Sequence, residues 1–356
     1  MLRTRSSLHT DDGLTGAGVK VAVLDTGVDL THPDLVGRVD VEHSAAFNAA
    51  HVDLQDRNGH GTHVAGIIGG SGAASSGKYR GLAPSCTLLI YKIANSKKGL
   101  EGNAAAAVDA AIAAGAQIIN FSHGYAPEHV GPPPWLWPDA HSALEDELIA
   151  AAAAGILCVV AAGNQGPGEG SITRPGGLPC VLTVGALGHG GRLNESSSRG
   201  PYRVSAELRP GGVTRFDREL HRELVVRQKP DVVAPGERIY APRSRHIAGA
   251  NLGDFDVEDP DYISMSGSSQ ATAIVSGLAA CLIELAGRKS IDLGPNHGRT
   301  LQRLITRAAA ELKNEIRADQ GAGLVLWPWL RRTLLDFDAD EQFRRTILDE
   351  DGIHLL

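Results

Sequence analysis

From Val19 to about Gly287 the chain alternates short, uniformly apolar runs with longer alanine-rich segments. The runs Val19–Leu24, Leu88–Ile93, Ile118–Phe121, Ile156–Ala161 and Val181–Val184 have strand length and carry no polar alternation. A strand apolar on both sides must be covered on both sides, which a parallel sheet between two layers of helices achieves. The fold class predicted is therefore α/β, with a central, mainly parallel sheet and helices on both faces. Helix boundaries support it: Asn103 is placed to cap a helix from Ala104 to Gly115, and Ser142-Ala-Leu-Glu145 is a capping box for a helix running to Gly155. No internal repeat is visible.

With 356 residues the chain is long enough to fold as one large α/β unit. Three segments interrupt the alternation. The stretch Pro127–Pro138 holds three consecutive prolines followed by Trp135 and Trp137, and is expected as a surface loop. Tyr202–Lys229 interleaves Arg and Glu and is expected as a surface hairpin or helix, and Asn251–Asp261 is an acidic run. The organisation expected is a domain over residues 1–335, its core about 16–323 and its insertions near 127–138, 202–229 and 251–261, followed by a polar tail over 336–356.

Charge excludes one class of partner. Against 41 acidic residues stand 34 basic ones, a net charge of −7, so no basic footprint for nucleic acid exists. The apolar stretch Leu148–Gly163 falls short of the roughly 20 residues that cross a bilayer, and no membrane partner is expected. Positive charge at the N-terminus has no apolar run behind it, so the expected location is the cytoplasm, with secretion after loss of a leader as the alternative. Cys86, Cys158, Cys180 and Cys281 form neither a disulfide framework nor a metal motif. Buried thiols are the expectation, and Cys158 with Cys180 is the one pairing open to an oxidising compartment.

Three further stretches carry the chemistry: Val21-Ala-Val-Leu-Asp-Thr-Gly27, His60-Gly-Thr-His-Val-Ala-Gly66 and Ser266-Gly-Ser-Ser-Gln-Ala-Thr-Ala273. They supply an acid, a base and a nucleophile. A hydroxyl attacks only if an imidazole takes its proton, and the imidazole needs a carboxylate to fix its tautomer. Asp25 ends an apolar strand, where functional groups collect in open α/β sheets. Asp-Thr-Gly also suits an aspartic protease, but that mechanism needs a second copy and none occurs here. His60 opens a small-residue helix whose N-terminus favours the neutral imidazole. His63 lies one turn on; without an intervening Glu the pair does not match the zinc-protease motif, so His63, like His32, is expected as a packing residue. Ser269 stands before an apolar helix whose free N–H groups suit an oxyanion.

On these residues the chain resembles the subtilisin-like serine proteases. The likeness extends to Gly81-Leu-Ala-Pro84, Asn120-Phe-Ser-His-Gly124, Ala161-Ala-Gly-Asn164, Ser197-Ser-Arg-Gly-Pro201 and Lys229-Pro-Asp-Val-Val-Ala-Pro-Gly236, so it covers about Gly16 to Gly323. The resemblance implies a three-layer subtilisin-like fold and a serine endopeptidase with Asp25, His60 and Ser269 as its triad and Asn164 in the oxyanion hole. It further implies an extended peptide or protein substrate, held by Ser122, His123 and Gly124, by Lys98, Gly99 and Leu100, and by Ala161, Ala162, Gly163 and Gln165. The alternatives on the same fold are a silent peptide-binding scaffold and an acyl-transferring maturation enzyme. Ser268 replaces the family's usual Thr, and Ala273-Ile274 its Pro-His, positions outside the chemistry. No cofactor is required. Many members bind calcium, and Asp34 matches one ligand position, but the facing loop Gly69–Lys78 lacks the expected asparagine. The acidic Asn251–Asp261 run lacks the spacing of a calcium loop and is expected as a solvated surface. The sequence does not fix the oligomeric state.

Overall fold

The computed structural model describes residues 13–48, 52–94, 101–125, 142–205, 213–217, 222–247 and 259–349. Seven parallel strands form the central sheet: β1 (Lys20–Asp25), β2 (Ala45–Ala46), β3 (Thr87–Lys92), β4 (Ile118–Phe121), β5 (Leu157–Ala161), β6 (Leu182–Leu187) and β10 (Val232–Pro235). Their order is β10-β6-β5-β4-β1-β3-β2. The chain leaves β1 for β3 on one side and then crosses back to β4 on the other. β1 therefore sits at the switch point, where the carboxyl ends of strands open onto a crevice.

Alternate side chains of each strand feed different cores, as period two requires. Val21 and Val23 of β1 join a cluster beneath α1 (His60–Gly69) and α4 (Ser268–Lys289), whereas Ala22 and Leu24 face α2 (Glu101–Ala113) and α3 (Ala143–Ala153). The result is the three-layer fold expected. α4 has the length and hydropathy of a membrane-spanning helix, yet 89% of its apolar window is buried inside the protein. The capping box of α3 is present, with Ser142 Oγ accepting from Glu145 N–H. The helix α2 begins at Glu101, so Asn103 lies within it rather than ahead of it.

Other expectations need correction. Tyr202–Lys229 is neither a helix nor a lone hairpin. Its β7 (Tyr202–Ser205), β8 (Val213–Asp217) and β9 (Arg222–Arg227) form an antiparallel sheet in the order β7-β9-β8. A second antiparallel pair joins β11 (Ile239–Pro242) to β12 (Tyr262–Met265). The expected boundary at residue 335 falls inside a helix. After α5 (His297–Ala308) and the single turn α6 (Arg317–Gln320) come α7 (Trp327–Ala339) and α8 (Glu341–Asp349). Phe337 and Ile347 from these last helices are buried in the same core as α4, because helical spacing gathers their apolar residues into one stripe. None of the four cysteines forms a disulfide, and burial pushes the Cys158 thiol far above its usual range and that of Cys86 up to about 12. The insertion near 127–138 and most of that near 251–261 lie outside the described residues.

Candidate active site

Asp25 ends β1 fully buried. Its Oδ1 accepts from Thr26 N–H and from His60 Nδ1–H, each at 2.8 Å. Burial alone would raise this carboxyl, but the charges of His60 and His123 and the hydrogen bond from His60 outweigh it and hold the group far below the usual carboxylate range. His60 is the first residue of α1, at 7% exposure. The helix starts hard against the turn after β1: a Cβ on Gly61 would stand 2.2 Å from the Gly27 carbonyl oxygen, so only glycine permits the approach.

The carboxylate of Asp56 holds this junction together. Its Oδ1 accepts from Thr26 Oγ1–H (2.9 Å), Gly59 N–H (2.8 Å) and Asn58 N–H (3.0 Å). Its Oδ2 accepts from Thr62 N–H (2.8 Å) and Oγ1–H (2.7 Å). The Thr26 hydroxyl in turn accepts from Gly61 N–H at 2.9 Å. The residue at the N-cap position, Gly59, makes no side-chain cap, so a carboxylate further back does the capping. Asp56 stands in the polar run Asp56-Arg-Asn-Gly59 ahead of the helix, but no sequence pattern marks its link to Thr26, which needs two segments thirty residues apart to meet.

Ser269 is the second residue of α4 and 6% exposed. Its Oγ–H donates to the Ser122 carbonyl at 3.0 Å. A relay fixes this end of α4 to β4: Ser276 Oγ–H donates to Asn120 Oδ1 (3.0 Å), Asn120 Nδ2–H to Ser122 Oγ (2.9 Å), and Ser122 Oγ–H to the Ser269 carbonyl (3.3 Å). Asn164 follows β5 at the surface. Its Oδ1 accepts from Ser268 N–H (2.9 Å) and Oγ–H (3.1 Å), which orients the amide so that Nδ2 remains as donor. Gly267 at the N-cap position has no side chain, so beyond the Ser268 N–H held by Asn164 the first N–H groups of α4 and its dipole point out of the helix N-terminus.

His60, Ser269, Asn164, Ser122, His123, Gly124, Ala161, Gly163 and Gln165 line one cleft of about 790 Å³. Its floor is tight: a Cβ on Gly124 would lie 2.1 Å from Thr173 Oγ1. Ala162 does not reach the cleft, because it packs with Ile172 and Tyr202 in a separate buried cluster. Lys98, Gly99 and Leu100 lie outside the described residues. Thr173, Glu237 and Arg238 also line the cleft, residues that no motif marked. The two expected packing histidines are hydrogen-bonded into the frame. His63 Nε2 faces the carbonyls of Ile239 (3.0 Å) and Ile263 (3.2 Å), so it carries the proton, while His32 Nε2 faces the carbonyl of Asp261 at 2.8 Å.

At the position where Asp34 matches a calcium ligand, one of its oxygens accepts from Ala74 N–H at 2.9 Å and the other from Tyr262 O–H at 2.8 Å, so protein donors already hold this carboxylate.

The subtilase family model matches residues 16–323. The chain belongs to the subtilase family. It is 35% identical over 333 residues to the serine protease AprX of Bacillus subtilis (strain 168), an alignment that spans 88% of this chain and 66% of AprX. Against the subtilisin of Bacillus sp. (strain TA39) the identity is 32% over 275 residues, spanning 74% of this chain and 56% of that protein. The chain thus covers less than two thirds of the length of these curated relatives. Among solved structures, this subtilase resembles a serine-to-alanine mutant of the protease domain of PatA, with a TM-score of 0.66 and 25% identity, over 92% of this chain and 99% of the other. It also resembles the prenylagaramide maturation protease PagA, with a TM-score of 0.63 and 26% identity, over 89% and 94%.

Proposed function

We propose that this subtilase is a serine endopeptidase in which Asp25, His60 and Ser269 act as the triad and Asn164 supports the oxyanion. The hydrogen bond of 2.8 Å from His60 Nδ1 to Asp25 carries the reading, because it selects the tautomer whose Nε2 is a base. Ser269 turns its hydroxyl from the Ser122 carbonyl toward His60, surrenders its proton and attacks the scissile carbonyl. The oxyanion meets Asn164 Nδ2–H and the N–H groups at the start of α4. His60 then protonates the leaving amine, and water, activated by the same base, hydrolyses the acyl-enzyme. The backbone of Ser122–Gly124 supports an extended substrate as an added strand.

Replacing Ser269 by Ala while folding is retained is expected to abolish cleavage of a chromogenic peptide and labelling by a fluorophosphonate probe. Peptidase activity at the parent level in Ser269→Ala refutes the assignment. The likeness to a maturation protease favours a second reading, in which an amine replaces water at the acyl-enzyme. Product analysis with a competing amine separates the two: a new amide bond supports transfer, and free acid alone supports hydrolysis.

A further inference from the structure

His123, expected in the wall of the substrate pocket, turns toward the acid end of the site. Its Nε2 lies 3.6 Å from Asp25 Oδ1, and its ring stands edge-on to that of His60 with centroids 5.6 Å apart. His123 is 6% exposed, His60 7% and Asp25 fully buried. Neither His123 Nε2 nor Asp25 Oδ2 has a hydrogen-bond partner among the described residues. Buried polar atoms left unmatched cost free energy, and a bound ligand would give these two neighbouring side chains the partners they lack. Asp25, His60 and His123 each present one ligand atom, and these three atoms lie within 4.8 Å of one another.

We propose that Asp25, His60 and His123 form a binding site for a zinc-class transition-metal ion that reversibly silences the enzyme. Two imidazoles and a carboxylate are a donor set for zinc, with three protein ligands and an open fourth position; calcium, which takes six to eight oxygens, is excluded by the same set. Zinc bonds of about 2.0–2.2 Å set tetrahedral ligands roughly 3.3 Å apart, which small side-chain rotations here would reach. The ion takes the place of the proton between His60 Nδ1 and Asp25. Metal–nitrogen and metal–oxygen bonds form, the Nδ1–H bond breaks, and the proton passes through solvent to Nε2, so that His60 ligates as the neutral imidazole. With its Nε2 lone pair tied up in an N–H bond, His60 cannot accept the proton of Ser269. Silencing rests on the peptidase reading, whereas binding of the ion does not.

The test uses the full chain carrying Ser269→Ala, titrated with zinc chloride by calorimetry and with cobalt(II) by visible absorption. One ion per chain is expected, with the d–d bands of a four-coordinate nitrogen and oxygen site. Adding His123→Leu is expected to weaken zinc binding by at least about tenfold, and His123→Gln, checked for cooperative unfolding, guards against a folding defect. In the chain with Ser269 intact, zinc is expected to inhibit peptide cleavage, EDTA to restore it, and the same His123 variants to shift the inhibition constant by the same factor. Equal zinc affinity in parent and folded His123 variants overturns the site. Zinc binding that depends on His123 in a chain without peptidase activity sustains the site and refutes the proposed function instead.

Discussion

Asn164 shows how a single side chain is aimed. Ser268 supplies two donors to its Oδ1, and the amide therefore presents Nδ2–H, held at the rim beside Ser269. In the proposed reaction such a donor acts on charge that exists only in the transition state, so its loss belongs in kcat and not in KM. Removing the corresponding kind of donor from subtilisin, a member of the same family, costs about 10²–10³ in kcat. Asn164→Ala is expected to lose a similar factor with KM nearly unchanged, in steady-state hydrolysis of a chromogenic peptide. A matching rise in KM with kcat preserved would instead assign Asn164 to ground-state binding. That Asp25 would meet His60, and that His60, Ser269 and Asn164 would share one cleft, was legible in the sequence because each sits in a run of residue types that the proposed reaction needs. Asp56 and the orientation of His123 were not. Both depend on where segments far apart in the chain meet, and no local pattern records that meeting.

At the scale of elements, His63 joins α1 to the antiparallel pair β11 and β12 through the carbonyls of Ile239 and Ile263. Burial, reinforced by the neighbouring His60 charge, lowers its pKa from 6.5 to about 4. Protonation would place a second N–H on Nδ1, which has no partner among the described residues. The unfolded chain takes up this proton near pH 6.5, the folded chain only near pH 4. Stability from this group is thus complete above pH 6.5 and lost progressively as pH falls toward 4, on the order of 3 kcal/mol in all. Urea midpoints of the parent should therefore fall between pH 7 and pH 4.5 more steeply than those of His63→Gln, whose amide still donates to the same carbonyls. Parallel curves for the two proteins would remove His63 from the acid response. Five of the seven central strands were read from sequence, four of them to within one residue at each end and β6 three residues short at its end, because burial on both faces leaves continuous apolar runs. β7, β8 and β9 were not, since the Arg and Glu interleaved through their sequence leave no clear apolar alternation to read.

On the scale of the whole molecule, the chain beyond residue 335 is part of the fold and not an appendage. Charged residues outnumber apolar ones there, which hides the helical stripe Leu330, Leu334, Phe337 until three-dimensional neighbours are known. Phe337 has 0% exposure and carries the Arg344 guanidinium 5.2 Å from its ring centre, while Ile347 is 4% exposed. Arg303 of α5 donates to the Ile347 carbonyl, and Arg344 reaches Asp292 at 3.1 Å, so polar contacts hold the rim of the same packing. Phe337→Ala is expected to cost about 3–5 kcal/mol, since a buried aromatic is replaced by a cavity. Phe337→Leu keeps most of the volume and is expected to cost under about 1.5 kcal/mol. A chain ending at Leu335 loses Phe337, Phe343 and Ile347 together, a large share of the roughly 5–15 kcal/mol that holds a domain folded. Urea denaturation followed by tryptophan fluorescence should show the midpoint falling from parent to Phe337→Leu to Phe337→Ala, with the shortened chain lowest. An unchanged midpoint in the shortened chain would mean that the core closes without these helices, and that the boundary at residue 335 is real after all.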